Sequence, residues 1–167
     1  MSLGPIPKEI ALRLRGVADN HHVLALLLEN VSQEAYREGL RSRDAEVLTT
    51  RVYPLERAFE IASNYTRELV ALGLKEARLP SVDGPSDFRA LSDERIISKP
   101  LSEQLIQIHA ARNALQHDYP DLRATTIYEA AQLQLTALPR FLKGYVKWLR
   151  DLGLAPQAKV DASDRRS

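Results

Sequence analysis

Apolar residues recur at spacings of three and four along four separate stretches of this chain, and no alternation of period two persists for long. That spacing follows the 3.6-residue helical turn, so each stretch is expected to form a helix that hides one face. In the first, Ile10, Leu14, Val17, Leu24, Leu28 and Val31 make one stripe, with His21 on the same seam. The second carries Leu48, Val52, Leu55, Phe59, Ala62 and Leu69, with Gly73 as its expected C-cap and Pro54 forcing a kink or a restart. The third starts after Pro100 and runs through Leu101, Leu105, Ile108 and Leu115. The fourth opens on Thr126-Ile-Tyr-Glu129, the spacing of a capping box. It continues through Ala131, Leu135, Leu138, Leu142, Tyr145, Leu149 and Leu152 to Gly153, with a kink expected at Pro139.

A Pro/Gly/Ser/Asp-rich link from Leu79 to Ser86 separates the second and third helices, and a short helix is expected around Phe88 to Ile97. Amphipathic helices joined in this way read as an all-α, antiparallel four-helix bundle with a short extra helix between helices 2 and 3. No internal repeat or low-complexity segment interrupts it. With 167 residues, one domain over residues 1–155 is expected, followed by a polar, non-periodic tail over 156–167 read as disordered.

Composition narrows the function classes. The 23 Lys+Arg against 22 Asp+Glu leave a net charge of +1, so any nucleic-acid contact must come from a local patch. The absence of cysteine excludes disulfides, a thiol nucleophile and thiolate metal ligands, and fits a reducing cytoplasm. The longest apolar run, Val23 to Leu28, is far shorter than the ~18 residues of a membrane helix. The N-terminus lacks the basic and apolar regions of a signal peptide.

The third helix ends in Arg112-Asn-Ala-Leu-Gln-His117-Asp-Tyr119 before Pro120. Continuing its stripe (101, 105, 108, 112, 115, 119) places Arg112 and Tyr119 on the apolar seam, where a charge is costly without a partner or ligand. Pro120 disfavours helix at Tyr119, so the helix is expected to end between His117 and Tyr119. A histidine at a helix C-terminus meets the negative end of the dipole. Such a set suits phosphodiester cleavage with the RNA 2′-OH as nucleophile. Imidazole moves protons near neutrality, and guanidinium stabilises charge growing on the non-bridging oxygens. One histidine does not easily act as both base and acid, and a symmetric dimer with two such helices supplies both roles. The plainer reading pairs Arg112 with Glu103, Asp118 or Asp121, leaves His117 capping carbonyls and puts Tyr119 in the core.

Arg-Asn-x-Leu-x-His-x-Tyr at the end of the third helix of a small bundle resembles the HEPN superfamily, and within it the HepT toxins. The superfamily mark, an arginine, a polar residue and then a histidine, matches Arg112, Asn113 and His117, and the HepT tyrosine matches Tyr119. The likeness spans roughly Val52 to Leu152 and includes Ile127-Tyr128 early in the next helix. It implies a dimeric four-helix bundle and metal-independent endoribonuclease action with Arg112 and His117 catalytic and Asn113 supporting. It also implies neutralisation by an MNT-type nucleotidyltransferase antitoxin that adds AMP to Tyr119. The alternative is a catalytically silent HEPN module that binds nucleotide or serves as partner of a nucleotidyltransferase. Asp118 departs from the small residue common there and sets a negative charge beside His117.

Arg140, Lys143, Lys147 and Arg150 recur on one face of the last helix, either as an RNA backbone-binding stripe or as a solvated face. His21 and His22 point to different faces and do not chelate jointly, so His21 reads as a satisfied interior histidine. His109 reads as a surface or interface residue, and Tyr145 and Trp148 as packing residues. No metal and no cofactor are expected.

Overall fold

In a computed structural model the described residues are 4–116 and 120–155. Helix α1 (Lys8–Asn30) is followed by α2 (Gln33–Ser42), the short α3 (Ala45–Val47) and α4 (Tyr53–Glu76). Helices α5 (Ser86–Asp93), α6 (Lys99–Arg112) and α7 (Pro120–Asp151) complete the helical part. A two-residue strand β1 (Gly4–Pro5) pairs in parallel with β2 (Leu154–Ala155), closing the two ends of the described chain on each other.

The helices α1, α4, α6 and α7 form an up-down-up-down bundle, and side-chain bonds fix the directions. Arg13 on α1 meets Glu68 on α4 at 2.5 Å, while Gly16 one turn later packs on Tyr65. The His21 ring nitrogen Nε2 bonds the Leu135 carbonyl at 3.1 Å, and Tyr128 donates to the Val31 carbonyl at 2.6 Å, so α1 and α7 are antiparallel. Arg140 on α7 donates to Gln104 on α6, while Gly144, one turn later, packs on Ile96 and Ile97 just before α6, so that pair is antiparallel too. The all-α four-helix expectation holds, as do the interior bond of His21 and the extra helix between the second and third bundle helices.

Each expected stripe faces the core. Ile10, Val17 and Leu24 of α1, Leu55, Phe59, Ala62 and Leu69 of α4, and Leu101, Leu105 and Ile108 of α6 are buried. On α7, Ala131, Leu138, Tyr145 and Leu149 are buried, and the Tyr145 hydroxyl donates to the Leu69 carbonyl at 2.5 Å. Each large aliphatic side chain so buried contributes roughly 1.5–3 kcal/mol, which is why propensity violations inside these helices are tolerated. Tyr145 and Trp148 stack edge-on with centroids 5.7 Å apart, as packing residues do.

Four local expectations are corrected. Gly73 does not end its helix. Helix α4 continues to Glu76, and a Cβ at Gly73 would run into the Trp148 ring, so this glycine permits a close helix crossing. Helix α7 starts at Pro120 rather than at Thr126, because the buried face already includes Ala124 before the buried Ile127 and Tyr128. It runs without a break through Pro139 to Asp151. Helix α2 was not foreseen: Ser32 caps it by accepting from Ala35 N at 3.1 Å, and Arg43 ends it with φ 54°. α-Helical geometry in α6 ends at Arg112 and tightens to a 3₁₀ turn over Asn113–Gln116, earlier than the expected end at His117 to Tyr119. His117, Asp118, Tyr119 and the expected tail over 156–167 lie outside the described residues.

Pro54 behaves as a restart. The chain passes through a wider π turn over Leu48–Val52 before α4 begins, with Pro54 in the first turn of α4. Thr49 and Thr50 hydroxyls donate back to the Ala45 and Glu46 carbonyls at 2.7 and 2.6 Å, occupying acceptors that a wider turn loosens. Tyr53, Glu56 and Arg57 follow this turn directly. No helix among the described residues is long and apolar enough to cross a membrane.

Candidate functional site

Arg112 occupies the last position of α6, on the seam set by Leu101, Leu105 and Ile108. Its Nε is buried without a hydrogen-bond partner, and the side chain makes no salt bridge among the described residues. The carboxylates that the plainer reading offered are engaged elsewhere or undescribed. Glu103 sits 3.7 Å from Arg89, Asp121 sits 2.6 Å from Arg41, and Asp118 lies outside the described residues. A guanidinium partly withdrawn from water and without a partner among the described residues is an anion site in waiting.

It opens onto a cleft of about 370 Å³ lined by Tyr53, Glu56, Arg57, Glu60, Arg112 and Leu115. The floor of that cleft is a buried network. Tyr36 donates its hydroxyl to Glu56 Oε1 at 2.6 Å, and Arg123 Nη2 donates to the same oxygen at 2.6 Å. Glu56 is only 8% exposed. Burial pushes its carboxyl above the ordinary glutamate range, the Tyr36 bond and Arg123 oppose that rise, and Glu60 adds to it. Burial, then the Glu56 carboxylate, pushes the Tyr36 phenol far up, so it remains a donor throughout the physiological range.

Asn113 is exposed in the turn that follows Arg112. His109, expected at a surface or interface, instead packs against the Phe88 ring with centroids 6.2 Å apart, and its Nδ1 is buried without a partner. Burial, then the neighbouring charges of Arg67 and Arg112, lowers its pKa, against a smaller opposing pull from Asp83.

Arg140, Lys143, Lys147 and Arg150 come together, around a cleft that Arg112 does not line. They rim a second cleft of about 790 Å³ whose apolar wall is Ile96, Ile97, Leu101, Leu142 and Val146. Lys143 lies 20 residues beyond Arg123 on α7, about 30 Å along the helix at 1.5 Å per residue. Lys143, Lys147 and Arg150 are exposed, and none forms a salt bridge among the described residues. Among those residues no group of three or more His, Asp or Glu is placed to hold a metal ion.

Sequence reasoning missed Tyr36, Glu56 and Arg123. The usable signal was the seven-residue spacing of Glu56, Ser63 and Val70, all buried, which puts the carboxylate on the same inward face as a core valine.

The comparisons with known proteins accord with this picture. No curated protein matches the chain. A solved structure described as a tri-AMPylated HEPN toxin of Shewanella oneidensis, in complex with MNT antitoxin, matches with a TM-score of 0.57 at 14% sequence identity. The match covers 88% of this chain and 97% of that one, and at such identity it speaks for the fold. The family model described as "HepT-like: Ribonuclease HepT-like" matches residues 26–144, which include Glu56, Arg112, His117 and Tyr119. This chain belongs to the HepT-like family of the HEPN superfamily.

Proposed function

We propose that this protein is a toxin of the HepT–MNT kind, an endoribonuclease that works as a homodimer in the cytoplasm. The single domain over residues 1–155 would provide the fold, and RNA would be the substrate. The observation that carries the reading is Arg112, a seam arginine with a buried unpartnered Nε, at the mouth of a polar cleft and five residues before His117. Arg112 binds the scissile phosphate and stabilises the charge that grows on its oxygens, His117 transfers protons, and Asn113 supports Arg112. These steps are performed by side chains and call for no metal or cofactor. Arg140, Lys143, Lys147 and Arg150, which line the second cleft, would hold the RNA backbone on the side of the cut away from Glu56 and Arg57.

Control by a partner follows the same logic. An MNT-type nucleotidyltransferase that adds AMP to Tyr119 would place a phosphate and a base beside Arg112 and His117 and so exclude RNA. The structural neighbour is itself an AMPylated HEPN toxin with an MNT antitoxin, which supports this reading. The test is expression in cells with and without an MNT-type nucleotidyltransferase. Growth arrest relieved by His117→Ala, and AMP-sized mass additions lost in Tyr119→Phe, are expected. No arrest and no cleavage would leave the alternative, a silent nucleotide-binding module or partner subunit. The carboxylates of Glu56 and Glu60 beside Arg112 give that alternative its one structural argument.

A further inference from the structure

The cleft between α7 and the segment joining α5 to α6 has a chemistry that a track for phosphates alone does not need. Its shape is set locally. Glu94 and Ile96 donate backbone N–H bonds to the Ala90 and Leu91 carbonyls at 3.0 and 2.9 Å, and Arg95 between them takes a left-handed φ of 58°. Helix α5 therefore stops and the chain turns toward α7. Gly144 lets it come close, since a Cβ there would stand 2.9 Å from the Ile96 carbonyl oxygen. Ile97 is buried, while Leu142 and Val146, one turn apart on α7, stay half-buried. With Ile96 they form an apolar wall of the cleft of about 790 Å³.

The basic rim from Arg140 to Arg150 runs about 15 Å along α7 in front of that wall. Among the described residues no carboxylate lines the cleft. Past Ile96, Gly144 and Lys147 it continues into a narrower recess of about 170 Å³, where Glu94 and Asp151 stand. Cations alone would serve a nucleic-acid backbone. Cations in front of an aliphatic wall fit a ligand that is anionic on one side and apolar on the other. A nucleotide is such a ligand once its base is unpaired, because a duplex keeps the base faces stacked away. Bases that leave the stack rest on apolar as well as aromatic side chains. The cleft volume falls within the roughly 300–1,000 Å³ of small-ligand pockets. Glu94 and Asp151 also choose between anionic ligands, for they repel an acidic peptide but accept from the N–H groups of a base edge.

We infer that this cleft is a nucleobase seat, in which an unpaired base of the RNA lies against Ile96, Ile97, Leu142 and Val146 while Lys143 and Lys147 take the phosphates on either side of it. The inference rests on the RNA-binding part of the reading above and names the substrate class, RNA whose bases are unpaired where α7 holds it. It asks nothing of the chemistry at Arg112.

The experiment is fluorescence anisotropy of the full chain with a labelled 2′-O-methyl oligonucleotide, which offers no 2′-OH for cleavage. The comparison is a strand of the same length and charge whose central residues lack bases. The base-bearing strand should bind roughly fivefold more tightly or better, the low end of one base contact. Changing Leu142 and Val146 together to Ser should remove that preference and leave the abasic affinity unchanged. Lys143→Gln with Lys147→Gln should weaken both strands alike and keep their ratio. Equal affinity of the wild-type chain for the two strands overturns the inference, and so does binding of neither, which would leave the cleft to a protein segment. If the serine pair does not fold, the wild-type comparison decides alone. A chain that prefers the base-bearing strand but cuts no RNA keeps the seat and refutes the ribonuclease reading. One that cuts RNA and binds the two strands equally does the reverse.

Discussion

Arg123 Nη2 lies 2.6 Å from Glu56 Oε1, tying the start of α7 to the first turn of α4 across the end of the bundle where Arg112 emerges. The Arg123 and Glu56 side chains retain only 12% and 10% of their exposure, so each supplies part of the other's compensation. Removing one partner strands a charge, which is worse than never having buried the pair. Arg123→Ala should therefore destabilise the chain by about 3 kcal/mol, read as a lower urea midpoint at unchanged m-value. A loss below about 0.5 kcal/mol would mean that the pair is hydrated and does not organise the cleft.

Gly73 tests the packing independently of the site. A Cβ there meets the ring of Trp148 and approaches Tyr145, both held in the core. Gly73→Ala gains helix propensity yet should still lower stability by roughly 1–3 kcal/mol, because the ring has no room to retreat. A higher melting temperature would show that α4 and α7 separate more easily than described.

His109 gives the fold a pH dependence. Its pKa is depressed below the ordinary 6.5, first by burial and then by Arg67 and Arg112. The unfolded chain thus binds the proton more readily than the folded one. Its contribution to stability is complete above 6.5 and is lost as pH falls through the lower folded value. Melting temperatures should fall on acidification below 6.5 and fall less steeply in His109→Gln. Parallel curves for the two proteins would remove His109 as the source.

The basic rim of the larger cleft predicts a salt effect. If Lys143 and Lys147 each contact one phosphate of single-stranded RNA, changing both to Gln should reduce the slope of log K against log salt by roughly 1.4. Cleavage at saturating RNA should change little, since neither lysine lines the cleft of Arg112. An unaltered slope would return the four cations to a plain solvated face.

How much of this was legible in the chain depended on how strongly each residue marks its environment. The four long stripes announced α1, α4, α6 and α7 because large aliphatic residues repeat on one face of each. Arg112 stood out for the converse reason, a charge on such a face. Helix α2 escaped because its ten residues bury only Tyr36, Gly39 and Leu40, too few to form a stripe. Thr126 to Glu129 looked like a helix start, but the helix had already begun, and the buried alanine at 124 is too weakly apolar to reveal it. Gly73 looked like a stop because a glycine that ends a helix and one that admits a Trp ring are the same letter. Glu56 was hidden most deeply. Its partners, Tyr36 and Arg123, lie 20 and 67 residues away, and only the fold brings them together.

The most direct test of the central claim is cleavage of an end-labelled RNA by the purified chain beside its Arg112→Ala variant, with product ends identified by mass. The wild-type protein should leave a 2′,3′-cyclic phosphate, and the variant should be slower by roughly 100- to 1,000-fold, the usual loss for one transition-state donor. Equal rates for the two proteins, or no cleavage by either, would contradict it.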